Sequence, residues 1–129
     1  MDYFSLEMKN LERKFNNVFP LSRFGMIYSH HNESMTYTNK LEFCLRYSSG
    51  NEYAVDFIDG KEYRTPYPHV VMKLPECVHS YSITAPRDAV YFQYSPELEE
   101  DMRKAGFLEL PMFWQVKMTP EINALLHKI

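Results

Sequence analysis

A mainly β domain, an antiparallel sandwich or barrel with one or two helices behind it, is what the pattern of this chain specifies. Three features carry that reading. Between residues 25 and 95, short apolar–polar alternations recur at about 8–12-residue spacing, divided by Gly, Pro, Asn and Asp. No helical stretch interrupts them, which excludes the alternating units of a parallel sheet. After Ser95 the apolar period changes from strand-like to helical. A length of 129 residues suits one domain with one sizeable core.

The elements follow in chain order. Residues 1–24 mix Phe15, Val18, Phe19 and Leu21 with Lys and Asn at no sustained period, and predict a short helix or arm followed by a strand. Residues 25–95 form the β zone. In Leu41-Glu42-Phe43-Cys44-Leu45-Arg46-Tyr47 every second residue is apolar, which gives a strand with two chemically different faces. Ser48-Ser49-Gly50-Asn51 ends it. Residues 53–58 and 61–65 flank Asp59-Gly60, a pair that tolerates the positive φ angles of a tight hairpin turn. Val70 to Leu74, Val78 to Ile83 and Ala89 to Tyr94 complete the set, with Pro75-Glu76 and Ala85-Pro86-Arg87-Asp88 read as turns.

Residues 96–129 are expected to be helical. Ser95-Pro96-Glu97 starts a helix by an N-cap, a first-turn proline and an acid at the positive end of the helix dipole, and Leu98, Met102 and Ala105 follow at helical spacing before Gly106. Thr119-Pro120-Glu121 starts a second, with Ile122, Leu125, Leu126 and Ile129 on one stripe. That stripe carries no stop signal, so the chain is expected to continue beyond Ile129.

Composition narrows the function classes. With 45% hydrophobic and 24% charged residues the chain is globular, so wholesale disorder is excluded. Lys+Arg 14 against Asp+Glu 17 gives a net charge of −3. Such a chain lacks the cationic cluster that neutralises phosphates, so DNA contact is not expected from these residues. The N-terminus has no basic-then-apolar signal pattern, and no apolar run approaches the roughly 18 residues of a membrane span. A cytoplasmic location is expected. Cys44 and Cys77 then read as small buried hydrophobes and not as a disulfide.

The run from Pro68 to Tyr81, in particular Pro75, His79 and Tyr81, resembles the second conserved box of the cupin-like sensor domains of AraC-type transcription regulators. It departs from that box where Pro68-His69 stands for Gly-Asp, Leu74 for the first Pro and Glu76 for Gly. Leu41 to Tyr47 followed by Gly50 is similar to the family's Tyr-Glu-Leu strand, with one additional residue before the glycine. The Asp59-Gly60 hairpin, the strand before Pro96 and the trailing helices fall in the family's order, so the likeness spans about residues 25–129. It implies a double-stranded β-helix, a cupin or jelly-roll barrel with a central pocket, followed by helices that form a dimer interface. A helix-turn-helix domain would follow Ile129 and make the DNA contact.

Candidate sites follow from these readings. The cupin metal pattern needs alternate histidines, and His30-His31 are adjacent, with Glu33 too close and Glu42 too far; His79 alone is in place. No metal site and no cofactor are expected, and the two-histidine segment reads as a polar loop. No partner activates Ser80 or Cys77 as a nucleophile, so an enzyme is not expected. A small pocket has more support. His79, Tyr81 and Ile83 share one face of a strand, and Tyr91 and Gln93 share a face of another. Rings with hydrogen-bonding tips suit a small polar, sugar-like effector. By resemblance His79, Tyr81 and Tyr91 line that pocket. The alternative is a barrel plugged by these same side chains. Glu42 and Arg46 either face inward as a charged pair for the ligand or are solvated while Leu41, Phe43, Leu45 and Tyr47 face the core; binary patterning favours the second. Likewise Leu98, Met102, Ile122, Leu125, Leu126 and Ile129 either cover the barrel or form a homodimer interface. The leading expectation is the effector-sensing and dimerisation domain of an AraC-type regulator. A metal-dependent cupin enzyme and a ligand-free dimerisation scaffold are the alternatives.

Overall fold

The structure is a computed structural model and describes residues 2–7, 19–30 and 33–128. It is mainly β. In chain order the strands are β1 (Asp2–Glu7), β2 (Arg23–His30), β3 (Glu33–Tyr37), β4 (Leu41–Ser49), β5 (Tyr53–Ile58), β6 (Lys61–Pro66), β7 (His69–Lys73), β8 (His79–Ile83), β9 (Arg87–Tyr94) and β10 (Phe113–Gln115). Helix α1 (Glu99–Lys104) and α2 (Pro120–His127) follow β9 on either side of β10. Two antiparallel sheets result, one of six strands in the order β1-β2-β9-β4-β7-β10 and one of four in the order β3-β8-β5-β6.

Local chemistry explains the elements that sequence anticipates. Asp59 (φ 51°) and Gly60 (φ 86°) take the positive φ angles that join β5 to β6. The hydroxyl of Thr119 accepts a hydrogen bond from the Ile122 N–H at 3.2 Å and caps α2, with Pro120 in its first turn. Gly106 (φ 86°) stops the segment after α1. Other expectations are corrected. Ser95 makes no side-chain cap, and the helix opens with a 3₁₀ turn at Pro96–Leu98. The segment read as a polar loop holds the end of β2 at His30 and the start of β3 at Glu33, while His31 lies outside the described residues. Residues 2–7, within the expected arm, pair with β2 as β1. Arg87, read as a turn residue, is the first residue of β9.

The larger sheet is covered on both faces, and the distribution of charge is inverted relative to the patterning expectation. Along β4 the residues that point between the sheets are Glu42, Cys44 and Arg46, all buried. Leu41, Phe43 and Leu45 point the other way, beneath the C-terminal segment. Leu41 and Met72 pack with Met102 and Leu108, joined by Leu98. Met26 and Val90 pack with Leu126, joined by Ile122, Phe24 and Phe92. The stripe offered for dimerisation is therefore largely occupied by the chain's own sheet. Met102 is fully buried, Leu98 and Ile122 are partly buried, Leu126 is buried, and Leu125 is 61% exposed. Ile129 lies outside the described residues. Both cysteines are free. Among the described residues no helix is long and apolar enough to cross a membrane.

Adjacent leucines on α2 test this packing. Leu126→Ala removes a side chain wedged between α2 and the sheet and is expected to lower the unfolding free energy by about 2–4 kcal/mol. Leu125→Ala, on the exposed face, is expected to change it by less than about 0.5 kcal/mol. Urea unfolding of the two variants checks this, and equal losses would contradict the assigned helix face.

Candidate functional site

Between the sheets lies a polar interior with two parts, an enclosed ion-pair cluster and a cavity beside it. The cluster is built by alternation. On β5 the inward phase is Ala54, Asp56 and Ile58; on β7 it is His69, Val71 and Lys73; on β8 it is His79, Tyr81 and Ile83. Arg46 of the larger sheet meets Asp56 of the smaller one in a bidentate pair, its two Nη groups donating to the two carboxylate oxygens at 2.8 Å each. The His79 Nε2–H donates to Asp56 Oδ1 at 2.9 Å. His69 donates from Nδ1 to the Pro66 carbonyl at 3.0 Å, which leaves its Nε2 as acceptor 3.4 Å from Arg46 Nη1. Phe113 of β10 closes this end, stacked on Tyr63 and tilted against His69 and His79. Arg46 Nε and His79 Nδ1 are buried with no hydrogen-bond partner.

Electrostatics in the cluster oppose and then balance. Burial penalises the Asp56 carboxylate, but the hydrogen bonds from Arg46 and His79 outweigh it and hold its carboxyl well below the ordinary carboxylate range. Burial first, and then the Arg46 cation, push the His69 imidazole down to about 4. Burial also lowers His79, against the pull of Asp56.

The cavity beside the cluster has a volume of about 470 Å³ and draws its walls from both sheets. Tyr37, Tyr81 and Tyr91 supply aromatic surface; Glu42, Lys73 and Gln93 supply polar groups. Glu42 is pinned by Lys73 and by the Gln93 side-chain amide, which donates to it at 2.8 Å. Burial disfavours the Lys73 ammonium, yet Glu42 beside it raises its pKa above the ordinary lysine value. The Tyr37 hydroxyl is raised by burial and by Tyr81. Tyr91 lies across its β2 partner Gly25, where a Cβ would sit 2.2 Å from the ring, so only glycine leaves room for this ring position.

The structure divides the expected site residues. Tyr81, Tyr91 and Glu42 line the cavity. His79 and Arg46 do not; they are enclosed in the cluster below it. Glu42 and Arg46 both face inward, contrary to the patterning preference, but they pair with Lys73 and Asp56 and not with each other. Sequence reasoning missed Asp56, His69, Lys73 and Arg87. The alternation of Ala54, Asp56 and Ile58 was a usable signal for Asp56, since its phase is apolar on either side. Among the described residues no group of His, Cys, Asp and Glu is arranged to hold a metal ion. Compared with protein-family models and with curated proteins, the sequence matches none.

Two predictions follow from the cluster. Asp56→Ala leaves Arg46 buried without its counter-charge and is expected to reduce the unfolding free energy by about 3–5 kcal/mol, whereas Arg46→Met combined with Asp56→Leu costs much less. Denaturant unfolding of the single and double variants checks the contrast. The second concerns acid. His69 titrates near 6.5 when unfolded and near 4 when folded, so the unfolded chain binds more protons between those values. Stability is therefore fully present above pH 6.5 and falls as pH drops toward 4, by about 3 kcal/mol from this residue. Unfolding curves across that window measure the loss, and an undiminished loss in His69→Gln would contradict the assignment.

Proposed function

We propose that this chain is the effector-sensing domain of an AraC-type transcription regulator, a non-enzymatic cupin-like barrel that binds a small polar molecule between its sheets. The observation that carries the reading is the 470 Å³ cavity, walled by both sheets and lined with tyrosines and pinned polar groups. A pocket of this size and mixture fits a small molecule with hydroxyl groups. The strand orders support the fold half of the reading. β2-β9-β4-β7 in one sheet and β3-β8-β5-β6 in the other, with the chain crossing between sheets at most connections, is compatible with the interleaving expected of a jelly roll.

The sheet also offers a route for the signal. On β9, Ala89, Tyr91 and Gln93 face the cavity, while Val90 and Phe92 between them pack toward α2. A ligand that moves Tyr91 therefore acts on the strand that supports the helix. If the occupied and empty barrels prefer different helix positions, the ligand shifts the balance between them. Homodimerisation in this reading uses the exposed side of α2 around Leu125, because Leu126 and Ile122 are held by the sheet. The DNA contact belongs to a helix-turn-helix domain following Ile129, consistent with the net charge of −3 in this half. The protein acts in the cytoplasm.

Screening the chain against sugars and central metabolites by thermal shift, followed by amide chemical-shift mapping of the hits, tests the pocket. At least one compound is expected to raise the melting temperature saturably and to perturb Tyr37, Tyr81, Tyr91 and Gln93. Hits that map only to other surfaces, or no hits, would remove the basis of the proposal.

A further inference from the structure

Three buried cations gather around one ring, and their neutralisation is unequal. The Arg46 guanidinium lies 4.7 Å from the Tyr81 ring centroid, the Arg87 guanidinium 4.8 Å and the Lys73 ammonium 5.5 Å. Arg46 has Asp56 and Lys73 has Glu42. Among the described residues the Arg87 side chain, only 6% exposed, makes one hydrogen bond, to the Tyr67 hydroxyl at 3.4 Å, and no carboxylate pairs with it. A hydroxyl and a ring face do not replace a counter-ion, and an unneutralised buried cation is costly.

Arg87 also stands where two spaces meet. Strand β5 pairs with β8 only from Asp56 to Ile58, so Tyr53–Val55 and Ser82–Thr84 part from one another. The opening holds a cleft of about 290 Å³ lined by Ser82 and Thr84. Cleft and inner cavity share Met35, Tyr81, Ile83 and Arg87. A molecule passing from the cleft into the inner cavity thus passes this guanidinium.

We propose that Arg87 binds the anionic group, carboxylate or phosphate, of a small effector that enters through the gap between β5 and β8 and occupies the inner cavity. The inference rests on the reading of that cavity as a ligand site. It narrows the effector class from a neutral polar molecule to an acid: a planar guanidinium with free N–H donors holds a carboxylate or phosphate in a bidentate manner. The tyrosines and Gln93 then meet the neutral remainder.

Matched pairs of ligands on the whole chain separate the possibilities. Glucuronate and glucose 6-phosphate are compared with glucose, and benzoate with benzamide, at constant ionic strength, by calorimetry and thermal shift. The expected result is that one or more acids bind saturably while the neutral partner at the same concentration does not, with the carboxylate and phosphate arms identifying the anion. Arg87→Gln is expected to weaken that binding by about a hundredfold, with Arg87→Lys in between. Because Arg87→Gln can affect folding, the side-chain Nε resonance of Arg87 is followed in the wild-type protein, where the binding acid is expected to shift it. Binding of the neutral members alone would leave the cavity reading intact and overturn the anion proposal. Binding by no member of any pair overturns the proposal on both counts, and an acid that binds and leaves the Arg87 resonance unmoved overturns the assignment of Arg87.

Discussion

The bidentate pair between Arg46 and Asp56 is the constraint around which the domain is arranged. It is formed by one strand from each sheet, with both side chains fully buried and both carboxylate oxygens engaged at 2.8 Å. Planar guanidinium and planar carboxylate meet well only in a narrow range of orientations, so the pair fixes the spacing and relative register of the two sheets more sharply than aliphatic contact would. His79 and His69 extend it to β8 and β7, and Phe113 seals it from the end. Four strands are tied through one cluster.

Placing charge between the sheets has a consequence for the opposite face. A strand alternates, so once Glu42 and Arg46 point inward, Leu41, Phe43 and Leu45 must point outward. That outer face is too apolar to be left in water, and α1, α2 and the segment joining them cover it. The larger aliphatic clusters therefore lie beneath the helices, while the space between the sheets combines ion pairs and rings with a smaller apolar cluster of Cys44, Val71, Ala89 and Tyr91. Charged and hydrogen-bonded side chains collapse less readily than leucines, because each must keep its partner. This is why a cavity survives beside the cluster, and why the strands lining it are also the ones that carry the helices.

Much of the secondary structure was legible from the chain alone. The Asp59-Gly60 hairpin, the strands after it and the Thr119 cap each depend on neighbouring residues and on little else. Other elements were not. β10 is three residues long, Phe113–Gln115, and exists because it pairs with β7; no local pattern distinguishes it from a loop. Arg87 follows Ala85-Pro86, whose turn chemistry masked the start of β9. The site was half legible. Alternation puts Tyr81 and Tyr91 on defined strand faces and the resemblance puts them with His79 in a pocket; the two tyrosines line the cavity, whereas His79 lies in the cluster. Its Nε2 is drawn there by Asp56, a residue 23 positions away.

The sequence by itself determined that the domain is mainly β, where the β5–β6 turn and the start of α2 fall, and which side chains share a strand face, because φ/ψ preferences and the period of two are local properties. It left open which face of β4 was inside, since Glu42 and Arg46 read as solvated until their partners are known. Only the tertiary structure decided that, because a buried charge is tolerable only with its counter-charge. Lys73 and Asp56 arrive from β7 and β5, strands that the fold alone brings beside β4.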